Sequence, residues 1–557
     1  MKAEFTVLNS AYKYISNSAP LPETDSGVLG KLSVFKNEEF GIQLLIKADR
    51  EFIAIKGRHM DICWKGLIDK IRVEIEVVDT NYVKIPPEEQ PSERLFSMNL
   101  VDYVMDDDGN LVSDILLKSS TRHAMTMDQV IYISGKIPKN FETQELGLTI
   151  RAFYSEGYED ENLIFESTVD IEVMDYVLDD IKDSKFYMDL WQHPCNWARA
   201  YDADYYSKEH MQIIDNYMQA MSLIGQRVCD LIISDYPWAG QRCYKVEDNH
   251  ENLFELNIIT LTKNIEGNIE CDFTAMDRYL EIAKKHGMAK EINLFGILGN
   301  WDGFDFENPL SEFKDPIRVS YFDKRSKTFK YINNKEELKS YLKQVFAHIN
   351  DLGIWDKTLI MSDEPDNVEL FQESVELFKE ASQGLEIKIK CAIHNQKFFE
   401  NYGENIKSIS LNTCELVNNT EKIDEIKSKI QKKDGKFTWF SCCFPSQMNI
   451  YLKSPLIESR LMGWFTYYMN LDGFLRWAYG IWPGNVMHNA SYKKEKWAAG
   501  DMYFVYPGKD GKPMDSLRLK NLVYGIQDWI VLSCAEKNMG RESLEKEMKK
   551  LLGKKED

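Results

Sequence analysis

The chain has 557 residues, with 68 basic against 89 acidic side chains and a formal charge of -21. That balance speaks against nucleic acid or an anionic membrane as the main partner, and the length requires several domains with at least one large core. Aromatic residues make up 12% of the chain; much of this is core, and because indole faces also stack on sugar rings the excess fits a carbohydrate site. The ten cysteines are scattered without a CxxC pair and read as buried free thiols rather than disulfides or zinc ligands. Residues 1–6 lack the apolar core of a signal, and no later run is long enough to span a bilayer, so the expected location is cytoplasmic.

Up to about residue 175 the sequence alternates apolar and polar residues, as in 71–77, 146–152 and 165–173, where Phe165, Val169, Ile171 and Val173 share a face. Period-two alternation predicts strands with one buried and one wet face, the pattern of an antiparallel sandwich. Asp106-Asp107-Asp108-Gly109-Asn110 is a turn between such runs. No acid, histidine or nucleophile here sits in a setting that suggests chemistry, so residues 1–178 read as a supporting or sugar-contacting β-sandwich. The polar stretch 179–184 leads into a second domain, 179–557.

There the rhythm changes to strand and helix in alternation. Strands are expected over 186–191, 231–234, 292–297, 359–363, 387–393, 406–411, 437–442 and 473–477, with a hairpin-bearing insertion after the second. Helices are expected over 208–224, 273–286, 335–351, 368–382, 423–430 and 457–469, with a helical and β extension at the C-terminus. Eight strands alternating with helices imply a closed parallel sheet, a (β/α)8 TIM-type barrel.

The most informative stretch is Thr358-Leu359-Ile360-Met361-Ser362-Asp363-Glu364-Pro365, an apolar run ending in two adjacent carboxylates and a proline. It reads as the fourth barrel strand, and its acids fall where the strand opens onto the catalytic face of such barrels. Adjacent carboxylates repel, so one of them holds its proton to higher pH, which suits proton donation in glycosidic cleavage. Helix capping by Asp363 explains the same residue equally well.

Other polar and aromatic residues gather at the expected strand mouths. Trp191, Gln192 and His193 follow strand one; Asp235, Tyr236 and Trp238 follow strand two; Gly299, Asn300, Trp301 and Asp302 follow strand three. Further round come His394, Asn395, Asn412, Arg476, Trp477, Tyr479 and Trp482. The candidate substrate-binding set is Trp191, His193, Trp238, Asn300, Trp301, Asp302, His394, Asn395, Arg476, Trp477, Tyr479 and Trp482. Taken singly, His193 and His394 also read as structural, Trp191 as core, and Asp235 and Asp302 as loop caps. Arg518 and Asp528 read as helix-face or buried-pair residues. The nine histidines show no metal spacing, and no GxGxxG, P-loop, HExxH or GxSxG is present, so neither metal nor cofactor is expected.

Several segments in order resemble glycoside hydrolase family 123, the β-N-acetylgalactosaminidases. They are Ser362-Asp363-Glu364-Pro365, Ser454-Pro455-Leu456-Ile457-Glu458-Ser459-Arg460, Gly473-Phe474-Leu475-Arg476-Trp477-Ala478-Tyr479, Gly500-Asp501, Tyr506-Pro507-Gly508 and Ser516-Leu517-Arg518-Leu519. The resemblance implies a β-sandwich before a (β/α)8 barrel, and exo-acting release of terminal β-linked N-acetylgalactosamine from glycosphingolipids or glycans. It implies substrate-assisted retention, with Glu364 as acid/base and Asp363 as the partner that orients the acetamido group. A non-catalytic carbohydrate-binding barrel, or a conventional retaining glycosidase using Asp302 or Asp235 as its second carboxylate, stays open as an alternative.

Overall fold

The computed structural model describes residues 1–16, 29–57, 69–78, 95–142, 144–237, 254–299, 308–310, 312–395, 398, 400, 406–491 and 497–551. The N-terminal region forms two sheets. One has five antiparallel strands in the order Ala3–Asn9, Glu39–Ala48, Asp128–Lys136, Phe96–Met105, Leu111–Leu117. The other has six, in the order Lys31–Lys36, Asn162–Val177, Glu145–Glu156, Asp69–Val78, Phe52–Lys56, Thr121–Ala124. Ile42, Leu44 and Ile46 of the first sheet share a core with Ile71, Val73, Leu148, Ile150, Val169 and Ile171 of the second. Alternation along each strand therefore builds the sandwich.

The five-stranded sheet departs from the expected wet outer face. Leu45, Val101, Tyr103, Val130 and Tyr132 lie on its other side and pack with Leu456 and Leu517 of the C-terminal half. Glu39–Ala48 is therefore buried on both faces over most of its length. Asn521 Nδ2 donates to Ser10 O at 3.0 Å and Gln527 Nε2 to Glu39 O at 2.7 Å across the same junction.

The second region is an eight-stranded parallel barrel. Its strands in chain order are Tyr187–Leu190, Val228–Ile232, Glu291–Leu298, Thr358–Asp363, Ile389–Ile393, Ile406–Asn412, Phe437–Phe440 and Gly473–Arg476. In space each lies beside its chain neighbour, and the eighth returns to the first. Strand two begins at Val228, ahead of the expected 231, because Asp230 interrupts the apolar run yet is buried inside the barrel.

The ring closes between strands one and two mainly through side chains. The only main-chain bridge recorded there among the described residues joins Met188 and Gln226. Gln226 Oε1 accepts from Leu190 N at 2.8 Å, and its Nε2 donates to Leu190 O at 3.2 Å and Val228 O at 2.9 Å. Asp230 N donates to Gln192 Oε1 at 2.8 Å, and Gln192 N donates to Asp230 Oδ2 at 3.0 Å.

Strands three and four slip out of register between Leu294 and Leu298. Gly296, at φ 92°, sits in the bulge, and a Cβ there would collide with Ser234 Oγ. Insertions after strands two and three join into a small sheet ordered Ile269–Asp272, Thr260–Lys263, Ser320–Asp323, Thr328–Tyr331. Its last strand is exposed throughout, so it carries no buried periodicity by which 328–331 could be read as a strand. Among the described residues no helix is long and apolar enough to cross a membrane.

Candidate active site

Strand four ends at the acid pair. Asp363 lies opposite Ala392 of strand five, and Glu364 N donates to Ala392 O at 3.0 Å. Glu364 itself has φ 47° and precedes Pro365. Positive φ is uncommon for a residue with a Cβ and stores strain of about 1–3 kcal/mol. On a regular strand consecutive side chains point to opposite faces; the turned backbone at Glu364 breaks that alternation at the acid pair. The following helix, Val368–Ala381, is capped by Asn367, whose side chain accepts from Leu370 N. Capping therefore does not account for Asp363.

The Glu364 side chain is 13% exposed. Its Oε1 is buried and has no hydrogen-bond partner among the described residues. Its Oε2 lies 3.6 Å from His394 Nδ1, and His394 Nε2 lies 3.3 Å from Asp366 Oδ1. Burial, followed by the charges of Asp363, Cys443 and Asp366, holds the Glu364 carboxyl well above the usual carboxylate range. A carboxyl that keeps its proton near neutrality is a proton donor. Burial and then the Asp363 and Asp315 charges also push the Tyr236 phenol upward, which puts Tyr236 within electrostatic reach of Asp363.

Around this centre the expected rim residues divide. Trp477 is half-buried, with His193 edge-on at 6.2 Å and Trp497 at 6.4 Å. His193 is fully buried, and burial pushes its imidazole down to about 3, so the ring is neutral. Arg476 is fully buried: its guanidinium pairs with Asp501 at 2.5 Å and also donates to Asn449 Oδ1 at 2.9 Å and to Ser441 O. Asn395 is half-buried beside His394.

Trp191 and Tyr479 belong to the packed interior rather than to an open stacking face. Trp191 meets Phe295 edge-on at 4.9 Å, and Tyr479 meets Tyr217 at 6.4 Å. Trp482 donates from Nε1 to Val505 O at 2.7 Å and borders a cleft of about 360 Å³ with Asn196, Arg199, Met487 and His488. The acid pair does not line that cleft. Asp235 is a loop clamp, accepting from Asn257 N at 3.2 Å and Ser320 N at 3.0 Å. Asn412 caps the short helix Thr413–Asn418 by accepting from Cys414 N. Trp238, Asn300, Trp301 and Asp302 lie outside the described residues.

Sequence reading had overlooked Asp366 and Cys443. Asp366 stands two residues beyond the acid pair and in sequence resembles an ordinary turn residue. Cys443 adjoins Cys442, with the two sulfurs 3.7 Å apart; this adjacency was the one available signal for it. Among the described residues no group of three or more His, Cys, Asp or Glu side chains could hold a metal ion.

A sandwich ahead of a (β/α)8 barrel, with a buried acid of raised pKa at the barrel mouth, is an arrangement suited to a glycoside hydrolase. Residues 191–535 match the family description "Glycoside hydrolase 123, catalytic domain", and the chain belongs to that family. The solved structure of a family 123 glycoside hydrolase from Clostridium perfringens, described with glycolipid glycan hydrolysis, is similar with a TM-score of 0.75 at 16% identity, covering 97% of this chain and 89% of that one. At that identity the likeness shows the fold. A family 5 glycoside hydrolase from Bacteroides vulgatus ATCC 8482 shares 12% identity over 52% of this chain and 60% of its own, with a TM-score of 0.28, too low to bear on the site. No curated protein matches in sequence.

Proposed function

We propose that the protein is an exo-acting retaining hydrolase releasing terminal β-linked N-acetylgalactosamine from glycosphingolipid or glycan ends, with the sugar's own 2-acetamido oxygen as nucleophile. The observation that carries this reading is the adjacency of Asp363 and Glu364 at the barrel mouth, with the backbone turned at Glu364. A conventional retaining enzyme needs its second carboxylate across the sugar ring, about 5 Å from the first; an internal nucleophile removes that need. Family membership supports the hydrolytic reaction, and the glycolipid context attached to the C. perfringens relative supports the substrate class.

Glu364 gives its proton to the glycosidic oxygen as the C1–O bond breaks and the acetamido oxygen closes on C1. Asp363 accepts the acetamido N–H and offsets the positive charge of the oxazolinium as it forms. Water then attacks C1, Glu364 takes the proton back, and the acetamide reopens with net retention. Trp477, the described aromatic of the rim set that keeps partial exposure, is the stacking face for the sugar.

The test is incubation with 4-nitrophenyl β-N-acetylgalactosaminide beside the matching glucosaminide and the plain galactoside. Cleavage of the galactosaminide without the galactoside is expected. Equal cleavage of the galactoside removes the need for an acetamido group and overturns the reading.

A further inference from the structure

His394 sits between two carboxyl groups. Strand five delivers it there because Ala392 is in register with Asp363 and accepts from Glu364 N; two residues on, the imidazole stands beside the Glu364 carboxyl. Its Nδ1, buried and without a hydrogen-bond partner among the described residues, is 3.6 Å from Glu364 Oε2, an ion-pair distance rather than a hydrogen bond, and its Nε2 is 3.3 Å from Asp366 Oδ1. Glu364 is nearly enclosed, whereas the Asp366 side chain is 63% exposed. The line Glu364–His394–Asp366 thus runs from a buried proton donor to solvent. Contacts of this kind are often long in unliganded enzymes and tighten on binding.

We propose that His394 is a positioning residue for the acid/base: on substrate binding its Nδ1 closes on Oε2 of Glu364 while Nε2 faces Asp366, which leaves Oε1 for the leaving oxygen. This rests on the reading of Glu364 given above. Oε1 fits the assignment because it is buried and unpartnered among the described residues. A neutral ring would accept the proton of Glu364 Oε2 at Nδ1 while donating to Asp366; with the proton on Oε1, facing the leaving oxygen, the ring serves both carboxyl groups only as a double donor, an imidazolium. In that form it stabilises the carboxylate left behind when Glu364 gives up its proton, and Asp366 balances the ring's charge. The charged groups acting on Glu364 are Asp363 on its own strand, Cys443 beyond strand seven and Asp366. All three oppose ionisation of Glu364, and a doubly protonated ring at His394 would offset them.

His394→Phe and Asp366→Asn test this through pH profiles of kcat/KM on a glycan substrate and on an aryl glycoside with a good leaving group. Removing the imidazolium makes Glu364 a weaker acid, so His394→Phe moves the basic limb to higher pH. It also lowers kcat on the glycan by roughly tenfold or more, with little change in KM and a smaller loss on the aryl glycoside. Asp366→Asn removes an anion that props up both protons, so its basic limb moves to lower pH. Opposite shifts support the proposal; no shift in either variant, or shifts in the same direction, overturn it. Infrared titration of the Glu364 carboxyl, identified by its loss in Glu364→Gln, reads the same two shifts without any substrate. If the wild type cleaves no acetamido sugar, the proposed function fails while the infrared titration still decides the role of His394.

Discussion

The Arg518 guanidinium, on the long helix Leu517–Met539, lies 3.0 Å from Asp114 of the sandwich, and both side chains are almost fully enclosed. Arg518 Nη1 also donates to the carbonyls of Ile450, Gly500 and Tyr503, and Tyr506 OH donates to Asp114 at 2.6 Å. Burial is the largest single influence and works against the Arg518 charge, but Asp114 together with the Tyr506 and Tyr503 hydroxyls outweighs it and raises the guanidinium above its ordinary value. One ion pair therefore ties the sandwich to the elements that follow barrel strand eight.

Asp114→Ala leaves that guanidinium buried without its anion. A loss of about 3–5 kcal/mol is expected, read as a lower midpoint in urea unfolding. Because the pair spans both halves, the wild type unfolds in one transition by fluorescence and circular dichroism alike. Two separated wild-type transitions, or a variant of unchanged midpoint, count against this coupling.

Glu364→Gln removes the proposed proton donor and keeps the shape. Turnover of glycan substrates falls about a thousandfold, whereas an aryl glycoside with a good leaving group loses far less in its first step. Since the Glu364 carboxyl is held well above its usual range, wild-type activity stays high until pH rises through that raised value and then declines. Equal loss on both substrates excludes Glu364 as the acid.

Asp363→Asn tests the other half of the pair. The acetamide then loses its anionic partner, and kcat falls roughly a hundredfold or more while KM changes little. Glu364 loses a repelling neighbour in the same variant, so the basic limb moves to lower pH. Wild-type turnover in this variant rules out substrate assistance.

Glu255 gives a stability signature separate from catalysis. It is buried, accepts from Cys195 N at 2.8 Å and Asn196 N at 3.1 Å, and thereby fastens the helix Pro194–Ala200 that follows His193. Burial, opposed by Arg199, pushes its carboxyl up to about 7. The folded state thus binds this proton more tightly than the unfolded chain. The contribution is full below the unfolded value near 4.5 and is lost as pH rises through 7, on the order of 3 kcal/mol. Glu255→Gln flattens that fall in thermal melts from pH 4.5 to 7.5; an unchanged slope refutes the assignment.

Much of the barrel was legible because its helices carry a long apolar stripe: the expected 335–351 is the observed Lys335–Asp351. Local patterns were weaker where burial came from elsewhere. Glu39–Ala48 is covered on both sides by partners far away in the chain, and 328–331 pairs in a hairpin with every residue exposed. At the site, the acid pair was visible as two consecutive letters. The approach of His394 and Cys443 to Glu364 depends on strand register and barrel closure, which no local window contains. Trp191 and Tyr479 show the converse: aromatics at a strand mouth can turn inward, and composition does not distinguish the two directions.

The joint between strands one and two has a mechanical meaning. Every other stave of the ring is zipped to its neighbour by successive peptide groups, whereas Gln226, Gln192 and Asp230 hold this slit shut with rotatable side chains. Such a fastening opens by torsion about a few single bonds without unpicking a ladder, so hydrogen exchange is expected to reach the Leu190 and Asp230 amides ahead of those in the barrel's ladders. Leu190 borders it directly, three residues short of His193, so any opening of the slit would be felt at the rim.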